Sequence, residues 1–547
     1  MLARRLSAAL RGVLEDGVLA MADTMATLQP GSLLLSLPSE LIHHILTFLP
    51  PMDLAFVCQT CRLLCEHGVD DRLWLRHLQE NLPNRSLKST LSPGSTSFRS
   101  QYLRYHPYWF IPRYKIWYSD TIHTGRLLIA RYSHSRQCIE AYALAAERVA
   151  STFEFWDWNS EVIIHSFDPK VQLDLDRTIL KIDADAVANL PLRKRYSEEV
   201  IMDGGVPPMG GINSRLSLTR PLPERAIGTT TQVWPPQKLP AESRVRNASL
   251  DGFRGSGHVP TKASELSEHT FRLRRWMDFP SRLATTRGMT MRMGEDVSTF
   301  ATLPLETYTP TPEKPWRGIW VGDYSGHGCE FLVVLQPDQP IELPQGAKAA
   351  LRRRRQQSEV SEAATPAEED GDAPPTVPNV GFDYEHLFSE NQEVDLTQEM
   401  PWTVDAEYAE SSSRVAPKDE DGSSDSAHSG QILGVKLTGD PNIPRGEYTF
   451  IAPDISDTGL LRIATEEKFE GARVVKSAGH IAARDFRDGD ALRCTRFEFP
   501  SLTDGADIYI PSQLILISHD TLAQYWEAFG HVSLYRRVDI DKFIDVD

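Results

Sequence analysis

Residues 37–83 read as three short apolar helices, each too small to make a core of its own, and this limits what the chain can be. Leu41, Ile42, Ile45, Leu46 and Leu49 fall on one helical face behind Leu37 and Pro38, a proline tolerated in a first turn. Pro50 and Pro51 stop that helix. A second helix is expected from an Asp53 N-cap, with Leu54, Val57, Cys58, Cys61, Leu64 and Cys65 as its apolar set, ending at Gly68. Asp70 or Asp71 caps a third that carries Leu73, Trp74, Leu75 and Leu78. Helices this short persist only when packed on something, so they need a partner surface.

The rest of the 547 residues has room for roughly one to three further domains. A hydrophobic content of 41% and a charged content of 24% suit a globular protein with a sizeable core. The net charge of -17 argues against a nucleic-acid or anionic-membrane binder, whose footprint is basic. No run of about 18 apolar residues offers a membrane span. Six cysteines, three of them at Cys58, Cys61 and Cys65, make no disulfide framework and fit a reducing cytoplasmic or nuclear setting. Residues 1–34 are expected to be a disordered lead-in. Their opening MLARRLSAALRG resembles a presequence, but Glu15 and Asp16 come immediately after it.

Downstream, short aromatic and β-branched runs separated by turn residues predict strands. They include Trp109-Phe110-Ile111, 114–118, 126–132, 138–143, 161–165, 316–336, 432–437, 447–451, 460–463 and 513–517, with a helix at 520–529 and a tail at 532–538. Residues 191–265 and 340–430 are polar and rich in Pro, Gly, Ser and charge, so they read as disordered insertions. The expected organisation is a helical head at 35–83, then one antiparallel β-barrel built from 100–190, 266–339 and 431–547. The fold class is α+β. Arg352 to Arg355 suggest a solvated linker run or an import signal, and Phe382 to Phe388 with Trp402 suggest a docking motif.

Leu37-Pro38, Glu40-Leu41, Ile45, Leu49-Pro50, Asp53-Leu54, Val57, Cys61-Arg62, Asp71 and Leu73-Trp74 together resemble the F-box consensus at its usual spacing. Further pieces resemble the F-box-only protein thirty-one-like proteins and their fungal relatives: Thr124-Gly125-Arg126-Leu127-Leu128 with Arg131-Tyr132, WRGIWVGDYSGHGCE at 316–330, KLTGDP at 436–441 with Ile443-Pro444-Arg445-Gly446, and GHIA at 479–482. The resemblance implies Skp1 binding through Leu37, Pro38, Leu41, Ile42, Ile45, Leu49, Leu54, Val57 and Trp74, with a cullin and a RING subunit recruited through Skp1. It also implies a lipocalin-like barrel that binds target proteins for ubiquitination and carries no catalysis of its own.

Target contacts are expected at the barrel mouth from Trp316, Tyr324, His327 and Glu330, with Asp440 and His480 as further candidates. The glycine-rich Gly322 to Gly328 matches no dinucleotide fingerprint, P-loop or nucleophile elbow and suits a tight turn. A hydrogen-bonding role and a plain hairpin corner both remain open for His327 and Glu330. Cys58, Cys61, Cys65 and His67 lack a second ligand pair at zinc-finger spacing, so no metal and no cofactor is expected. Two other functions stay open: an apolar ligand held in the barrel, and a hydrolase using His327 with Asp323 or Ser325.

Overall fold

The computed structural model describes residues 32–82, 97–119, 125–148, 152–202, 211–221, 236, 239–241, 258–280, 290–323, 328–352, 427–439, 443–482 and 507–544. The head holds α1 (Ser39–Thr47), α2 (Pro51–Val57), α3 (Arg62–Gly68) and α4 (Asp71–Glu80). Prolines at 38 and 50 precede α1 and α2, and the Asp70 carboxylate accepts from the Arg72 amide (2.9 Å) to start α4. The sequence predicts one helix from Asp53 to Gly68, but the backbone at Cys61 is extended and splits it in two. Cys58, Cys61 and Cys65 therefore share no helical face; they line a shallow surface cleft instead of a core.

Two more helices, α5 (Phe98–Tyr105) and α6 (Phe110–Tyr114), join the head to the first β-sheet. Trp109-Phe110-Ile111, predicted as strand, belongs to this helical turn. The Trp109 indole adds a second donor to the Tyr102 carbonyl (2.8 Å), which already accepts from the His106 amide, and that of Trp117 donates to the Ile111 carbonyl of α6 (2.9 Å). A short apolar run does not itself distinguish helix from strand.

That first sheet is antiparallel and has eight strands. In chain order its members are β1 (Ile116–Ser119), β2 (Leu127–Ser133), β3 (Cys138–Arg148), β6 (Pro169–Ile182), β7 (Val200–Met202), β8 (Gly211–Leu218), β9 (Thr270–Pro280) and β10 (Thr290–Ala301). The order across the sheet is β6-β3-β2-β1-β10-β9-β8-β7. One face packs on the head: Ile42, Leu54, Trp74, Tyr102 and Trp109 share a single core with Trp117, Leu128, Leu216 and Phe271. The helical head thus finds its required support within the chain.

The second β unit is a closed ring. Its strands are β11 (Gly318–Asp323), β12 (Cys329–Leu335), β13 (Ile432–Lys436), β14 (Tyr448–Ala452), β16 (Arg473–Ile481), β17 (Ile508–Ser518), β18 (Thr521–Trp526) and β19 (His531–Val538). Each pairs antiparallel with the next, and β19 returns to β11 through Ile319↔Val538 to Gly322↔Tyr535, closing an eight-stranded barrel. β15 (Leu460–Ile463) pairs with β16 off the ring, while β5 (Asn159–His165) and β4 (Phe153–Trp156) extend the sheet beyond β19.

These ladders change the organisation expected from sequence. The strands at 116–148, 169–182 and 270–301 make their own sheet and contribute nothing to the ring, and β7 and β8 fall inside the stretch read as the first insertion. Residues 521–526, predicted helical, form β18, because pairing on both sides outweighs the helix propensity of Leu522, Ala523 and Gln524.

Trp320, Leu332, Val334, Ile432, Phe450, Val475, Leu514, Leu522 and Tyr535 form one buried cluster drawn from all eight ring strands, so it fills the lumen. Alternate residues such as Ile319, Val321 and Val333 face outward and pack against Ile116, Leu127 and Ile129 of the open sheet. Two glycines make room for lumen aromatics. A Cβ on Gly434 would sit 2.5 Å from the Phe450 ring, and one on Gly479 would sit 2.2 Å from Trp526. Toward one end the filling turns polar: Ser477 and Ser512 share a hydrogen bond (2.7 Å), Gln524 donates to Ser512 (3.3 Å), and Tyr535 donates to Gln524 (3.0 Å). A lumen occupied by its own side chains does not favour the apolar-ligand reading.

Candidate functional site

Two surfaces collect the residues singled out by sequence. On the head, Ile42, Ile45, Leu49, Leu54, Val57 and Trp74 are buried in the chain's own core, Leu37 and Leu41 are half-buried, and Pro38 is exposed. Trp74 is fully enclosed, its indole donating to the Gly68 carbonyl (2.8 Å). The consensus pattern therefore marks mainly the residues that hold the helices together. The apolar side chains presented outward are Leu33, Phe48, Phe56, Leu63 and Val69, with Phe48 60% and Phe56 51% exposed. Sequence reasoning missed them because they interrupt the core periodicity, which is itself the signal that could have found them. His43, His67 and Asp70 tie α1, α3 and the start of α4 together: His43 Nε2 lies 2.9 Å from His67 Nδ1, and His43 Nδ1 lies 3.4 Å from Asp70. That pairing gives His67 a structural role.

The other surface is one rim of the barrel, where β11, β13 and β16 end and β12, β14 and β17 begin. Here Glu330 is buried and ion-pairs with Lys436, which is wholly enclosed. Thr438 accepts from the Phe331 amide (2.9 Å). Asp323 meets Arg148 of β3 at 3.0 Å, joining the open sheet to the rim. Burial, with Asp323 nearby, pushes the Cys329 thiol up to about 11, so it stays protonated at neutral pH. A Cβ on Gly125, at φ +71, would meet the Arg445 side chain at 2.7 Å, so two separate sequence motifs converge at this rim.

His480, near the end of β16 at the same rim, is 1% exposed, its ring stacked on Tyr509 with centroids 4.7 Å apart. Its Nδ1 is 2.9 Å from the Tyr448 carbonyl and its Nε2 is 3.5 Å from Asp507 Oδ2. Glu447, His480 and Asp507 bring ligand-type atoms within 4.8 Å of one another, and they are the group among the described residues placed to hold a metal. Sequence reasoning found His480 but missed Glu447 and Asp507. Glu447 directly follows the Ile443 to Gly446 motif, whereas nothing local marks Asp507.

Of the remaining sequence candidates, Trp316 belongs to the opposite end of the barrel, where its indole donates to the Ser518 carbonyl (3.2 Å) and its ring meets His428 and His519 edge-on. It cannot share a mouth with Glu330 and His480. Tyr324, His327, Ser325 and Asp440 lie outside the described residues, as do Arg353 to Arg355, Phe382 to Phe388 and Trp402. Asp323, the acid of the hydrolase reading, is engaged by Arg148.

Residues 34–80 match a family model described as F-box-like, and residues 300–542 match one described as Cyclin D1 binding domain. The first spans the helical head and the second the whole closed barrel; most of the open sheet lies between them. No curated protein matches the chain.

Proposed function

We propose that this protein is a target receptor of a Skp1–cullin–F-box ubiquitin ligase, with the head holding Skp1 and the barrel rim selecting the protein to be ubiquitinated. The observation that carries the reading is the F-box-like match at 34–80, on helices that turn Leu33, Phe48, Phe56, Leu63 and Val69 to solvent while their inner faces seal onto the open sheet. Exposed aromatic and aliphatic groups on a small rigid support are what a protein interface draws its energy from. The cullin and RING subunits come with Skp1. The receptor needs no catalytic group, because it acts by raising the local concentration of the target beside the ubiquitin-charged enzyme.

The description of the family matching the barrel makes a cyclin the first target to try. The rim supports target binding because buried charges there, Lys436 with Glu330 and Arg148 with Asp323, hold fixed polar groups at the mouth of a rigid barrel. The test is comparative proteomics with the intact chain and a form lacking residues 34–80. Targets should bind both forms and accumulate only with the second. An unchanged proteome, with the deleted form still folded, contradicts the proposal.

A further inference from the structure

We infer that Glu447, His480 and Asp507 form a binding site for a divalent transition-metal ion, with zinc as the best chemical fit. The Tyr448 carbonyl can only accept a hydrogen bond, so the 2.9 Å contact fixes the proton of a neutral His480 on Nδ1. Nε2 then carries a bare lone pair. It is buried and makes no hydrogen bond among the described residues; the Asp507 carboxylate lies 3.5 Å from it, and Glu447 completes the cluster. A lone pair beside the Asp507 carboxylate repels it, whereas a dication between the three groups turns each of their contacts into an attraction to the ion.

The geometry is close to that of a coordination shell. In a tetrahedral zinc site, bonds of about 2.0–2.1 Å place neighbouring ligand atoms roughly 3.3 Å apart. His480 Nε2 and Asp507 Oδ2 are already 3.5 Å apart, and ligand-type atoms of Glu447, His480 and Asp507 all lie within 4.8 Å of one another. One imidazole with two carboxylates favours zinc over calcium or magnesium, which prefer all-oxygen shells. A carbonyl on the far ring nitrogen and a stacked Tyr509 hold the imidazole plane, the support that metal-bound histidines commonly have. The three residues come from the start of β14, the end of β16 and the approach to β17. A bound ion would pin Asp507, where the chain returns from 483–506, to the rim proposed to receive targets. The site does not depend on that proposal.

The experiment uses the full chain, stripped with a chelator that is then removed, and titrated calorimetrically with zinc and spectroscopically with cobalt. One equivalent should bind, and the cobalt spectrum should show nitrogen and oxygen ligands without a thiolate charge-transfer band. Asp507→Asn, at a residue 37% exposed in its side chain, should weaken binding at least tenfold without altering the circular dichroism, and His480→Gln should do the same. The triple change Cys58→Ser, Cys61→Ser and Cys65→Ser should leave binding intact. Absence of binding, a thiolate band, or full affinity in Asp507→Asn overturns the inference.

Discussion

Replacing Gly479 with alanine tests whether the barrel lumen is filled as described. The new methyl carbon would lie 2.2 Å from Trp526 Cζ3 and 2.7 Å from Cε3, well inside van der Waals contact, so the indole must move by about an ångström. It is not free to do so cheaply, because its Nε1 donates to Ser533 (3.1 Å) and the residue is 6% exposed. Overpacking of this kind costs about 1–3 kcal/mol, and loss of the indole hydrogen bond adds about 1 kcal/mol. Trp526→Leu alone opens a cavity and should cost about 2–4 kcal/mol. In the double variant the alanine methyl occupies space the indole vacated, so the two changes should fall short of additivity by roughly 1–3 kcal/mol. Urea unfolding of the four proteins supplies the cycle. A neutral Gly479→Ala, or strict additivity, would refute the packing argument and reopen the lumen to a ligand.

Buried charged and titratable groups give three further expected outcomes. Glu140 accepts from Arg131 (2.8 Å), Arg136 (2.5 Å) and the Tyr142 hydroxyl (3.2 Å) inside the open sheet, so Glu140→Ala strands Arg131 and should lower stability by about 3–5 kcal/mol in urea titrations. Burial, with Arg195 nearby, holds His106 down to about 4, and burial, with His165 and Arg148 nearby, does the same to His531. Below pH 6.5 the unfolded chain takes up protons that the folded chain refuses, so stability present at neutral pH falls as pH drops toward 4, by up to about 3 kcal/mol per histidine. Urea midpoints measured between pH 7.5 and 4.5 should show this, with a shallower slope in His106→Gln; a flat profile contradicts it. Lys436→Met removes the ion-pair partner of buried Glu330 and should cost about 3–5 kcal/mol, most of it recovered by adding Glu330→Leu, as read from the same titrations.

Much of this fold was legible from sequence where a segment had to be one thing. The helical head showed through its periodicity and prolines, and 318–335 read as paired strands because two short apolar runs, Gly318 to Gly322 and Phe331 to Leu335, flank a glycine-rich turn. What sequence could not supply was partnership. The strands at 116–148 look like barrel strands because alternation says which face is buried and nothing about against what, and their separation into an open sheet rests on ladders as distant as Tyr118 to Ala301. The same limit governs the site. Glu330 and Lys436, or His480 and Asp507, meet only through strand register, whereas Trp316 shares a motif with Glu330 and yet sits at the far end of a strand pair. On the head, the residues that define the consensus turned inward, and the outward Phe48 and Phe56 fell outside the pattern.

The most direct test of the account is a titration of the full chain with a Skp1 subunit, set beside the same titration of a variant carrying Phe48→Ser and Phe56→Ser. Both side chains are more than half exposed, so the fold should survive, and each should contribute about 1–2 kcal/mol at an interface, weakening binding together by roughly 30- to 1000-fold. A one-to-one complex with the intact chain and that loss with the variant is the expected result. Either no complex, or equal affinity for both proteins, would contradict the assignment of the head as the ligase-binding surface.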